Sequence, residues 1–190
     1  MPNMTLTPQQ LHGLHRIAII GPSSAGKSTL AKALGKKLDL PVHHLDALMH
    51  LPDWEPRPRP EFKEAHDRVI VQPKWVVEGN YSFTMPQRLE QAELVIFVDP
   101  PILGGVVRFI RRTLQNWGQQ RAESAAGCVD KLFPKRVWWD LVLVHMCWRY
   151  PCRNRPKYKN LVEQYALHKH IHLNSFKALQ RFYQDYEISR

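Results

Sequence analysis

The 190-residue chain is poor in cysteine, in long apolar runs and, over one stretch, in acid. Its three cysteines, Cys128, Cys147 and Cys152, are odd in number and unevenly spaced. They form no CxxC pair and no disulfide framework, so buried or free thiols of a cytoplasmic protein are expected. The longest apolar runs, such as 94–98 and 141–144, fall far short of the ~20 residues of a bilayer-spanning helix. The opening MPNMTLTPQQ is polar and has no apolar core of a secretory signal. Internal repeats and low-complexity tracts are missing as well. Together these absences exclude a disulfide scaffold, a membrane protein and a solenoid.

What is present suits a globular chain. Hydrophobic residues make up 44% and charged residues 23%, enough apolar side chain for a core. The length fits a single domain over 1–190. The net charge of +10 is concentrated in one place. Residues 1–100 carry 11 basic and 11 acidic groups, whereas residues 101–160 carry 12 basic and only 3 acidic. A stretch so depleted of acid is expected to meet something anionic.

Strand and helix patterns alternate. RIAII at Arg16–Ile20 is a short β-branched run ending at a glycine, as a buried parallel strand does. Lys27–Leu38 has Leu30, Ala31, Leu34 and Leu38 on one helical face. Further strands are predicted at 41–45, 74–77, Leu94–Val98 and His170–Leu173. Helices are predicted at 61–71, 102–117, 136–149, 161–165 and 176–186. This alternation predicts an α/β fold with a parallel sheet. The proline-rich 46–73 region and the glycine-bearing 113–135 region are excursions from it.

The strongest motif is Gly21-Pro-Ser-Ser-Ala-Gly26-Lys27-Ser28, which matches GxxxxGK[ST] between a strand and a helix. Glycines let backbone N–H groups approach phosphate oxygens, and the helix start adds unsatisfied donors and a positive dipole end. Gly21, Ser23, Ser24, Ala25, Gly26, Lys27, Ser28 and Thr29 are therefore the candidate ATP-binding set. Lys27 is expected on the β- and γ-phosphates and Ser28 on Mg²⁺. Mg²⁺ prefers hard oxygen ligands, so a carboxylate near Ser28 is expected too. Three acids follow strands, at the edge where open α/β sheets bind ligands: Asp46, Glu78 and Asp99. Glu78 precedes Gly79 and Asn80, while Asp99 ends the Walker B-like LVIFVD. Pattern alone leaves Glu78 and Asp99 as alternatives.

GPSSAGKST, VHHLDALMHLPDW, WVVEGNYS and RLEQAELVIFVD together resemble adenylate-kinase-related P-loop proteins of bacteria, often labelled DNA topology modulation proteins. The resemblance spans about residues 16–173. It implies a three-layer P-loop fold of the nucleoside monophosphate kinase type, with five parallel strands in order 2-3-1-4-5. It also implies an ATP- and Mg²⁺-dependent phosphotransferase with a small-molecule or nucleotide acceptor, and it favours Glu78 over Asp99 as the metal-side acid. EGNYS stands where adenylate kinases carry DGFPR. Asp46 falls where related small-molecule kinases place an acceptor-binding acid, so with Glu78, Gly79, Asn80 and Arg88 it forms the candidate acceptor site.

By the same resemblance Arg108 stacks on adenine and Arg112 contacts ATP phosphates, at the spacings adenylate kinases show after the acid ending strand four. Residues 113–135 form a short lid, without the cysteine tetrad of a zinc lid. Arg149, Arg153 and Arg155 follow that lid, where such kinases place further phosphate clamps. Lys27, Arg112, Asp46 and Arg153 are thus the candidate catalytic set.

The histidines carry less. His43 and His44 are neighbours on a strand and point to opposite faces, so they are poor joint metal ligands with Asp46 and His50. His168, His170 and His172 would share one face if extended, which predicts a surface or sheet-edge position. One alternative function remains in view. In it the basic 101–160 stretch contacts nucleic acid, and the chain is a nucleic-acid-associated NTPase.

Overall fold

The computed structural model describes residues 4–101, 104–105, 107–108, 111, 128 and 150–189. The core is a five-stranded, all-parallel sheet in the order β2-β3-β1-β4-β5. Its strands are β1 (Arg16–Ile20), β2 (Val42–His44), β3 (Trp75–Glu78), β4 (Leu94–Val98) and β5 (His170–Leu173). Strands β3 and β4 flank the strand that runs into the GxxxxGK[ST] loop, as expected.

Both faces of the sheet are buried, and residue alternation shows how. Along β1, Ile17 and Ile19 enter one apolar cluster while Ala18 and Ile20 enter the other. β4 divides likewise, with Leu94, Ile96 and Val98 on one side and Val95 and Phe97 on the other. Helices Lys27–Leu38 and Phe176–Asp185 cover the first face through Leu30, Leu34, Leu179 and Phe182. Helices Arg59–Ile70, Met85–Gln91 and Arg155–Ala166 cover the second through Phe62, Ile70, Leu89, Tyr158 and Val162. Central strands buried on both sides read as continuous apolar runs, which is why RIAII and LVIFV were legible.

Several features depart from expectation. The helix predicted at 161–165 begins at Arg155 and runs to Ala166. Pro156 lies in its first turn, where the missing N–H costs no helical bond, so this proline is a start signal. Met85–Gln91 forms a helix that begins with Pro86 in its first turn; its seven residues are too few to show a period. His170 has the expected sheet-edge place, on β5, but not a surface one: it is fully buried, with Nδ1 against the carbonyl oxygens of Ala166 and Leu167. The helix Arg155–Ala166 and the segment after it cover that end of the edge strand. The predicted elements at 102–117 and 136–149, like the 113–135 lid, lie largely or wholly outside the described residues. No described helix is long and apolar enough to cross a membrane.

Candidate active site

All three strand-end acids lie at one edge of the sheet, around the loop that follows β1. Gly21 opens that loop at φ 141°. A Cβ there would stand 1.9 Å from the Val98 carbonyl oxygen, so the loop can leave β1 this close to β4 only through glycine. Asn80 then fastens the turn: its Oδ1 accepts from the Gly21 N–H at 3.1 Å and its Nδ2 donates to the Gly21 carbonyl at 2.7 Å. Gly26 ends the loop as N-cap of helix Lys27–Leu38, with no side chain over the first N–H groups. Ala25 is buried, Ser23 is partly exposed and Thr29 is exposed.

Two features of the loop fit a phosphate chain. Ser24 holds a positive φ of 58°, and its buried hydroxyl has no partner among the described residues. Lys27 Nζ donates to the Pro22 carbonyl at 2.9 Å, so the loop's own oxygen takes a bond that an anionic oxygen can take.

Glu78 and Asp99, equal by pattern, have different partners. Ser28 Oγ donates to Glu78 Oε1 at 2.9 Å. Asp99 instead accepts from Arg155 Nε at 2.7 Å and lies 3.2 Å from His172 Nε2. Register accounts for Glu78: it is the β3 partner of Ile19 on β1 and of His44 on β2. Burial works to raise the Glu78 carboxyl. A hydrogen bond from His44, the Lys27 charge and the Ser28 hydroxyl outweigh burial and hold it below the usual carboxylate range. A hydroxyl and an ionised carboxylate, side by side at a helix start, form an all-oxygen donor pair that fits Mg²⁺.

Asp46 lies on the short helix Leu45–Met49, exposed, with its Oδ1 accepting from Tyr81 Oη at 2.8 Å. Burial, then the Asp46 charge and hydrogen bond, push the Tyr81 hydroxyl well above its ordinary value, so it stays a donor. Gly79 has φ 137°, and a Cβ on it would approach Leu45 Cβ to 2.7 Å. This glycine lets β3 turn beneath the Asp46 helix. Its carbonyl accepts from Arg88 Nη2 at 2.8 Å.

Arg88 is completely buried; its Nη1 lies 3.4 Å from His66 Nε2, and its Nε has no partner among the described residues. Desolvation pulls its guanidinium down to about 10, against the raising influence of Glu78 and Tyr158, so it remains a cation at neutral pH. Beyond Tyr81 stand Phe83, its ring 6.4 Å from that of Tyr81 with Arg59 over it at 5.5 Å, and Ser82, bonded by Lys157 at 2.8 Å.

The structure therefore gathers Gly21 to Ser28, Glu78, Gly79, Asn80, Asp46 and Arg88 at one sheet edge. Arg155 joins them through Asp99. The Arg108 guanidinium lies 3.4 Å from the Phe176 ring centroid, and Arg153 is exposed in the turn Tyr150–Asn154. Arg112 and Arg149 lie outside the described residues. Sequence reasoning set His44 aside as a metal ligand and passed over Tyr81 and His66. Tyr81 stood inside the quoted EGNYS, but nothing local marks its hydroxyl as the partner of an acid 35 residues away.

No protein-family model matches the chain, and no curated protein matches it. Solved structures do. Shikimate kinase from Acinetobacter baumannii, in complex with shikimate, is similar with a TM-score of 0.54 at 17% identity, over 93% of this chain and 95% of that one. Shikimate kinase from Bacteroides thetaiotaomicron gives a TM-score of 0.49 at 18% identity, over 92% and 99%. The first likeness runs almost end to end and shows a shared three-layer P-loop fold, in agreement with the strand order.

Proposed function

We propose that the chain is an ATP- and Mg²⁺-dependent phosphotransferase acting on a small-molecule or nucleotide acceptor. One observation carries the proposal: the phosphate loop, the Ser28–Glu78 oxygen pair and the exposed carboxylate of Asp46 lie around the same strand ends. A plain NTPase needs the first two. An acid beyond them, its carboxylate bonded by Tyr81 alone among the described residues, suits a hydroxyl-bearing acceptor.

In this reading the loop amides and Lys27 bind the triphosphate, and Lys27 leaves the Pro22 carbonyl to do so. Bound Mg²⁺, held by Ser28 and Glu78, would supply charge neutralisation between the transferred and leaving phosphates. Asp46 exchanges Tyr81 for the acceptor hydroxyl, orients it and takes its proton. Arg112 and Arg153 stabilise the charge that gathers on the transferred group. Adenine lies against Arg108 beside Phe176. Gly79 and Asn80 form the floor between donor and acceptor, and Arg88 is the cation available beneath it for an acceptor anion. The related fold of a shikimate-binding kinase places hydroxy acids among the acceptors worth testing.

The test is ADP release and phosphoryl transfer measured over a panel of nucleosides, nucleotides and hydroxy acids. Acceptor-dependent turnover is expected, lost in Lys27→Ala. In Asp46→Asn it is expected to fall by about 10²–10⁴, with ATP binding retained. Robust acceptor-free ATP hydrolysis, with no transfer to any acceptor, would overturn the proposal.

A further inference from the structure

His44 sits at the C-terminal end of β2, and the parallel register pairs it with Glu78 on β3. Paired residues on neighbouring strands project to the same side at about 5 Å, so the two side chains meet. His44 Nδ1 lies 2.9 Å from Glu78 Oε1, the same oxygen that accepts from Ser28 Oγ at 2.9 Å. An ionised carboxylate can only accept, so Nδ1 carries the hydrogen. Both bonds fall on Oε1, and Oε2 takes none among the described residues. The pair is secluded, with the His44 side chain 11% exposed and that of Glu78 5%.

A glutamate has three side-chain torsions, and the Ser28 hydroxyl alone would leave the carboxylate free to swing about one contact. A second donor on the same oxygen, fixed by strand register, removes that freedom. We propose that His44 is a positioning residue, whose Nδ1–H holds Glu78 Oε1 so that the carboxylate is presented to Ser28 and to Mg²⁺ in a single orientation. The inference rests on the reading of Ser28 and Glu78 as the Mg²⁺ site. It gives a role to a histidine that neither the loop motif nor the acceptor acid requires.

The test is binding, without turnover. Affinity for a non-hydrolysable ATP analogue is titrated against Mg²⁺ concentration by calorimetry in the wild type, Glu78→Gln, His44→Ala, His44→Asn and His44→Gln. Binding in EDTA serves as the check of folding. Partners that orient metal ligands are worth about 10–100-fold in metal affinity. The Mg²⁺ midpoint is therefore expected to rise at least about 10-fold in His44→Ala, with the EDTA affinity unchanged.

Atom placement supplies the second arm. Asparagine carries its amide nitrogen two bonds beyond Cβ, as histidine carries Nδ1, whereas glutamine carries it one bond further. His44→Asn should restore the wild-type midpoint and His44→Gln should not. A merely structural histidine would lower thermal stability in these variants and leave the Mg²⁺ midpoint alone. Equal midpoints in the Asn and Gln variants, or an unchanged midpoint in His44→Ala, would overturn the inference; the Asn–Gln pair decides even where the alanine variant is unstable. If Glu78→Gln also leaves the Mg²⁺ dependence untouched, the reading of the metal site fails first. If Glu78→Gln shifts it and the His44 variants do not, only the role of His44 fails.

Discussion

Gly21 and Asn80 illustrate how tightly single residues constrain this site. Gly21 has the Val98 carbonyl against its Cα and a backbone angle foreign to other residues. Asn80 satisfies both polar groups of Gly21 from another strand end. Gly21→Ala is expected to cost on the order of 1–3 kcal/mol in urea unfolding and to abolish binding of an ATP analogue. Asn80→Ala leaves a backbone donor and acceptor without their partner, at about 1–3 kcal/mol, and should weaken analogue binding with a smaller loss of fold. Analogue affinity unchanged in Asn80→Ala would show that the loop holds its shape without the clamp. Gly21 was legible because its constraint is written into a local motif. The role of Asn80 was only half legible: EGNYS marked it as a site residue, but its bond to Gly21 crosses 59 positions.

Helix Arg59–Ile70 brings a second layer of support. It packs Phe62 and Ile70 into the core and carries His66 inward with them. His66 is fully buried, with Nδ1 3.1 Å from Asp67 Oδ1 and Nε2 facing Arg88. Burial holds its imidazole below the ordinary value; the Asp67 hydrogen bond opposes that and the Arg88 charge adds to it. The unfolded chain therefore binds a proton near the ordinary histidine value of about 6.5 that the folded chain resists. Stability is fully present above that value and falls as pH drops through it. The carboxylates held low, such as Glu78 and Asp67, lose their contribution only in a more acid range.

The urea midpoint is thus expected to decline between about pH 7 and 5.5, and His66→Gln should flatten part of that slope. His43, also lowered by burial and then by His44, would account for the remainder. A slope unaffected by His66→Gln would remove His66 as its source. The same element scale shows where local reading failed. Pro156 and Pro86 each lie in the first turn of a helix that the sequence reading began too late or did not predict. Whether a proline opens a helix or ends a segment depends on what packs behind it, here Tyr158 and Leu89 in the core.

The whole molecule carries a candidate donor site and a candidate acceptor site on one sheet edge, so ligand binding should be felt throughout it. A Mg²⁺–ATP analogue at 100 times its dissociation constant stabilises a folded chain by about 2.7 kcal/mol. For a chain of this length that is a rise in Tm of ~5–10 °C. The shift is expected by differential scanning fluorimetry and should vanish in Lys27→Ala. A rise of the same size in that variant would mean the analogue binds elsewhere. The basic excess of residues 101–160 belongs to this scale too; six of its twelve basic residues, Arg108, Arg111, Arg153, Arg155, Lys157 and Lys159, lie among the described residues.

The family resemblance implied the strand order; by itself the sequence determined the GxxxxGK[ST] strand–loop–helix unit and the parallel α/β class. Each depends on local conformation or on runs of apolar residues long enough to read. Only the tertiary structure put the Ser28 hydroxyl on Glu78 and Arg155 on Asp99, set Tyr81 on Asp46, buried Arg88 and His170, and placed His44 beside the candidate metal acid. Those outcomes follow from the register between strands far apart in the chain, and side-chain type at a single position carries no record of the neighbour that register supplies.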